Sequence, residues 1–295
     1  MEKFIFGRSL EELKLAFASG EEVLKEDEYL GDDGLPYCNK CKTRRCFVSE
    51  DEKFAMRGMC QCQEAEMKRR EEEEKRQQRI TRFNMSIENA LIGERYRKCR
   101  FDTAVITKAN HSAFEKCRNY ATNYREVLRQ NIGLYIYGDN SSGKTYLTAC
   151  LCNELLWNGA ECIYTNLASI LAEIRSSYDG NGMGECRLLR QLQRYDFAFI
   201  DDLGKEFLGR EFNAASSKWA EEKLFEVLNA RYNSQKPTIF SSNYSIGELA
   251  SLLNLDKAIV ERINEMSTRV IKLEGDDFRK LVREEKSDIA KSLGI

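Results

Sequence analysis

Eight residues, Gly138-Asp139-Asn140-Ser141-Ser142-Gly143-Lys144-Thr145, constrain this chain more than any other stretch. They follow the apolar run Gly133-Leu134-Tyr135-Ile136-Tyr137 and precede a helical pattern that starts near Lys144. A strand, a glycine-rich turn and a helix in that order match G-x-x-x-x-G-K-[ST], the phosphate-binding loop. Glycines at 138 and 143 open backbone angles closed to other residues, so successive N–H groups can converge on phosphate oxygens. The helix N-terminus adds partial positive charge. Lys144 can then reach the β- and γ-phosphates, and Thr145 can offer a hydroxyl to Mg²⁺. The spacing predicts a nucleotide site over 138–145, with ATP or ADP and magnesium as its ligands.

Downstream, apolar runs and helical patterns alternate. Strands are expected at 162–165, 197–202 and 238–243, with helices between them at 167–178, 185–194 and 218–232. Such alternation predicts an α/β fold with a parallel sheet and helices on both faces, and ligands at the carboxyl ends of the strands. Asp201 closes four apolar residues, where a carboxylate can hold the magnesium shell, and Asp202 can orient or activate the attacking water. Asn243 ends another strand, within reach of the γ-phosphate or the water.

The amino-terminal third reads differently. Ser9 caps a short amphipathic helix over 9–17, a packing element or a partner-binding one. Cys38-x-x-Cys41 and Cys60-x-Cys62 are separated by 18 residues, with Cys46 between them. Two close thiol pairs around a short, charged segment have the layout of a zinc module. The four thiolates of 38, 41, 60 and 62 are the expected ligands, with Cys46 as the alternative to one of them. The stretch from 63 to 82 is almost wholly charged, mixed in sign and free of Pro and Gly, which suits a solvated helical linker.

Totals exclude several classes. Net charge is −2, so nucleic-acid binding needs a local basic surface rather than a cationic chain. Apolar residues make up 42%, enough for a sizeable core, but no run of about 18 of them appears. A signal-peptide pattern is absent, and eleven cysteines without one point to a reducing, cytoplasmic setting. His111, the single histidine, sits in an expected turn with no partner implied, so histidine-based relays are not expected.

The strings GLYIYGDNSSGKTYL, AFIDDLG, LFEVLNARYNSQKPTIFSSNYS and LEGDDFRKL together resemble the DnaC/IstB group of AAA+ ATPases, which includes replicative helicase loaders. The likeness covers about half the chain, from 133 to 284, and is most specific in IDDLG and NARYNSQKPTI. The cysteine module and charged helix also resemble the amino-terminal region that such loaders use to contact the helicase. The resemblance implies a sensor-1 role for Asn243, an arginine finger at Arg262 acting on a neighbouring subunit's nucleotide, and a sensor-2 arginine at Arg279. It further implies single-stranded DNA contacts near Arg187, Arg190 and Arg194, which follow an insert at 179–184. One departure from the family pattern lies in Asp139-Asn140-Ser141-Ser142, where relatives more often carry Pro and a further Gly or Thr.

The expected organisation is a zinc-binding, helicase-interacting module over 1–63, a charged helical linker over 64–100, an AAA+ ATPase domain over 101–288 and a tail over 289–295. The expected function is an ATP-dependent loader of the replicative hexameric helicase onto single-stranded DNA, self-associating into an AAA+ oligomer and needing no membrane. A transposition helper of the IstB type shares the ATPase core and is the alternative. A small-molecule kinase lacks an acceptor motif, and a zinc adaptor that binds nucleotide without hydrolysing it is the further alternative, separated by steady-state ATPase with and without single-stranded DNA.

Overall fold

The computed structural model describes residues 8–51, 53–178, 183–204, 214–252, 256–275, 283, 287 and 290–293. Two compact units divide the chain between Ile80 and Thr81.

In the first unit, helix α1 (Leu10–Ala18) starts at a capping box: Ser9 Oγ accepts the Glu12 N–H at 3.3 Å, and the Glu12 carboxylate accepts the Ser9 N–H at 2.8 Å. Two antiparallel hairpins follow, β1 (Glu28–Leu30) with β2 (Pro36–Cys38), and β3 (Cys46–Val48) with β4 (Ala55–Arg57). Strands of three residues show no usable alternation, and sequence periodicity does not reveal them. The apolar core is small, formed by Leu13, Phe17, Leu35 and Ala55. Beside it Arg45, 2% exposed, pairs with Glu28 at 3.6 Å and with Asp27, and Glu28 also pairs with Arg57. The charged stretch forms helix α2 (Gln61–Asn89), which is longer at both ends than the solvated run itself. Phe83 and Ile87 bury its last turns within the second unit.

The second unit continues through α3 (His111–Thr122), α4 (Tyr124–Arg129), β5 (Leu134–Tyr137), α5 (Lys144–Trp157), β6 (Cys162–Asn166), α6 (Leu167–Tyr178), α7 (Met183–Arg194), β7 (Phe197–Leu203), α8 (Ala214–Asn233), β8 (Thr238–Ser242), α9 (Ile246–Leu252), α10 (Lys257–Met266) and β9 (Arg269–Lys272). The strands form one parallel sheet in the order β6-β7-β8-β5-β9. Their side chains alternate between faces. Leu134, Ile136, Tyr164, Phe197, Phe199 and Ile239 pack with α3 and α5, whereas Tyr135, Ile163, Ala198, Ile200 and Phe240 pack with α6, α7, α8 and α10. Both faces are covered, as the apolar runs predict.

Arg231, in the NARYN string, is fully buried. Its guanidinium donates five hydrogen bonds, to the carbonyls of Leu192, Tyr195, Asp196 and Pro237 and to Thr238 Oγ1. Burial pulls its pKa down to about 10, so it remains a cation at neutral pH. Its work is to tie the end of α7 to the strands, away from the phosphate loop.

Candidate functional site

The phosphate loop joins β5 to α5 at the carboxyl edge of the sheet. Backbone crowding explains the first glycine: a Cβ on Gly138 would stand 2.2 Å from the Leu273 carbonyl oxygen. Gly143 has φ +93°, a left-handed turn that starts α5 and aims its first N–H groups into the loop. Ser141 also takes φ +67°, an unusual angle for a residue with a side chain. Lys144 is buried, and its Nζ donates to the carbonyls of Gly138 at 2.9 Å and Asp139 at 2.8 Å. Those bonds hold the ammonium under the loop, where a phosphate would sit.

A cavity of about 620 Å³ opens over this loop. Residues 140–146 form one side, Asp202 and Asn243 reach it from the ends of β7 and β8, and Arg283 lines it as well. The opposite wall is Arg95, Tyr96, Cys99, Thr103, Val105 and Phe114. Sequence periodicity does not reveal that wall, because it comes from two short 3-10 turns, Glu94–Tyr96 and Phe101–Thr103, from Cys99 and Val105 beside them, and from Phe114 on α3. Buried Asn153 on α5 ties the wall to the loop helix, its amide donating to the carbonyls of Tyr96 and Cys99 at 2.9 Å each. Aromatic and apolar surface facing a ring of polar groups suits a nucleobase beyond the phosphates.

Asp201 lies beneath Asp202, 8% exposed. Burial raises its pKa, while hydroxyls from Ser241, Thr145 and Tyr164 oppose that shift by hydrogen-bonding the carboxylate. Tyr164 in turn shares a 2.7 Å bond with Thr148. The Thr145 hydroxyl and the Asp201 carboxylate therefore adjoin, a pair of hard oxygen donors that fits magnesium. Magnesium bound there would neutralise charge on the phosphates.

The remaining expected residues are placed as follows. Arg262, on α10, is not among the cavity's lining residues; its guanidinium lies 3.7 Å from the Tyr232 ring centroid and 3.3 Å from Glu265. Arg187, Arg190 and Arg194 are exposed on α7, whose Leu188 and Leu192 are buried. Arg279 lies outside the described residues, as do positions 179–182 of the insert. Arg283, which the sequence reading did not single out, is the described arginine of the carboxyl-terminal segment that reaches the cavity. His111 is exposed at the start of α3.

In the first unit, the sulfurs of Cys38, Cys41, Cys60 and Cys62 lie within 4.8 Å of one another, with Cys38–Cys62 at 3.6 Å and Cys60–Cys62 at 3.2 Å. Four thiolates about 2.3 Å from a tetrahedral zinc would stand roughly 3.8 Å apart. The cluster fits zinc in donor type, number and spacing. Cys46 is left out: it sits on β3 against the small apolar core, and burial raises its pKa. The Thr43 hydroxyl pulls the Cys41 thiol down to about 5 and the Cys41 N–H lowers that of Cys38, while the crowding of Cys60 against Cys62 pushes the Cys62 thiol up to about 12, so without a metal the four sulfurs do not all ionise together.

Comparison with known proteins matches residues 59–286 to a family described as IstB-like ATP binding protein. The replicative helicase loader DnaC of Escherichia coli (strain K12) is 24% identical over 209 residues, which cover 70% of this chain and 80% of that protein. The phage-like element PBSX protein XkdC of Bacillus subtilis (strain 168) is 27% identical over 263 residues, 88% of this chain and 90% of that one. A crystal structure of the DnaC helicase loader shares the fold, with a TM-score of 0.50 at 22% identity over 62% of this chain and 100% of that chain.

Proposed function

The chain belongs to the IstB-like ATP-binding protein family, and from that premise we propose that it is an ATP-dependent loader of a replicative DNA helicase onto single-stranded DNA. The observation that carries this reading is the single cavity in which the phosphate loop, Asp202 and Asn243 meet. Lys144 and the loop amides bind the phosphates, Thr145 and Asp201 hold magnesium, Asp202 orients the attacking water and Asn243 contacts the γ-phosphate or that water. Arg279 supplies the sensor-2 arginine of the carboxyl-terminal segment, and Arg283 lines the cavity.

Arg262 acts in trans. It lines no part of the cavity over its own phosphate loop, so an assembled oligomer is needed to bring a second copy's Arg262 to the nucleotide. Such an arginine is worth about 10³–10⁵ in rate. Turnover should therefore rise steeply with protein concentration, and R262A should abolish that rise. Arg187, Arg190 and Arg194 form the contact to single-stranded DNA, because one amphipathic helix presents all three to solvent. Neutralising them together should weaken single-strand affinity and flatten its salt dependence.

The zinc module over 1–63 grips the helicase, 64–100 links it to the ATPase domain over 101–288, and 289–295 is a tail. ATP binding and hydrolysis set the assembly and release of the complex. Support for a loader comes from relatives named as helicase loaders, and from the thiol cluster, which a transposition helper's helical amino terminus would lack. An IstB-type transposition helper, which shares the family's ATP-binding core, is the second reading. Capture assays with the purified host helicase and a partner transposase decide between them. Helicase retention is expected; retention of the transposase alone would reverse the assignment.

A further inference from the structure

The pairing of β7 with β8 slips beside the two carboxylates. Ile200 stands opposite Phe240 and pairing resumes with Leu203 opposite Ser242, so Asp201 and Asp202 together face one residue, Ser241. A bulge of this kind re-aims side chains next to a site. Asp202 accordingly takes φ +56°, in the left-handed region. That conformation carries a local cost, so something must hold it.

Ser241 is 1% exposed, and its hydroxyl serves both carboxylate residues. Oγ donates its proton to Asp201 Oδ1 and accepts the backbone N–H of Asp202 at 3.1 Å. The neighbouring serine is committed elsewhere: Ser242 Oγ donates to the Leu203 carbonyl at 2.6 Å and accepts the Tyr244 N–H at 3.1 Å. No second hydroxyl on β8 is placed to take over.

We propose that Ser241 is the positioning residue of the carboxylate pair, locking the bulge so that Asp201 stays against Thr145 while Asp202 turns into the nucleotide cavity. Loss of the hydroxyl removes one fixed partner from Asp201 and takes from the Asp202 N–H the acceptor that Ser241 supplies. Magnesium then meets a carboxylate free to swing, whereas the loop amides and Lys144, which bind phosphate without the metal, are untouched. The inference rests on the nucleotide reading of this cavity.

Full-length wild type, S241A and S241T separate the possibilities, using a fluorescent ADP analogue titrated in EDTA and then across magnesium concentrations. In EDTA all three should bind within about twofold of one another. Outer ligand partners typically alter metal affinity about 10–100-fold, so the magnesium midpoint of S241A should rise by at least about tenfold, with S241T restoring it. A wild-type magnesium midpoint in S241A would overturn the proposal, and so would a loss of EDTA-phase affinity equal to the loss with metal. Should S241A fail to fold, S241C keeps the volume with a weaker donor, and an unshifted midpoint there would contradict the idea equally. Absence of analogue binding by the wild-type chain would remove the nucleotide premise itself and the inference with it.

Discussion

Among the described residues, the first unit's buried apolar core is Leu13, Phe17, Leu35 and Ala55, whereas the second buries a large cluster on each face of its sheet. The first compensates with a thiol cluster and the buried ions Arg45 and Glu28. Buried ion pairs give specificity more readily than net stability, because their desolvation offsets most of the attraction. A module with so little apolar surface needs another source of free energy, and structural zinc supplies about 10–16 kcal/mol in small domains. The sheet unit needs none: its stability comes from burial, and the magnesium proposed at Thr145 and Asp201 would serve nucleotide chemistry instead. On the proposed reading, one metal site would sustain its unit's fold and the other would serve the reaction.

Removing zinc tests that contrast with the largest effect. Chelation, or C38S with C41S, should abolish amide protection across 28–57 while β5–β9 keep theirs, as read by hydrogen exchange. Simultaneous loss of protection in both units would break the comparison. Next in size, R231M strips the sheet unit of the donor to the carbonyls of Leu192, Tyr195 and Asp196, and to that of Pro237, which keeps the Ala198 N–H; an unpaired buried group costs about 1–3 kcal/mol. Urea unfolding of that unit should lose about 3–5 kcal/mol in total, with the zinc module unaltered.

Smaller effects sharpen the picture. S141G relieves a left-handed residue in the phosphate loop, and should stabilise the second unit by about 1 kcal/mol without weakening nucleotide binding. A loss of binding would show that the Ser141 side chain, not only its backbone, meets the nucleotide. Least of all, S9A removes the cap of α1 and should cost the first unit about 0.5–1 kcal/mol, seen as faster amide exchange confined to 10–18.

The phosphate loop and the strand that carries Asp201 were legible because rigid spacing and a long apolar run each specify local geometry. The thiols of 38, 41, 60 and 62 were legible from their spacing, with Cys46 as an alternative; only folding shows that Cys46 packs against the apolar core. Asp202's left-handed bulge, the Ser241 bridge and the wall from Arg95 to Phe114 depend on contacts between segments far apart in sequence, which periodicity does not encode. The role of Arg231 was hidden for the same reason. An arginine in a helical motif looks like a surface charge until its five acceptors are assembled around it.

The division of labour is tested most directly by measuring helicase capture and nucleotide affinity on the same samples of wild type, C38S/C41S and K144A. The account predicts that C38S/C41S loses the helicase while binding ATP normally, and that K144A retains the helicase while losing ATP. Normal helicase capture by C38S/C41S in zinc-free protein would contradict it.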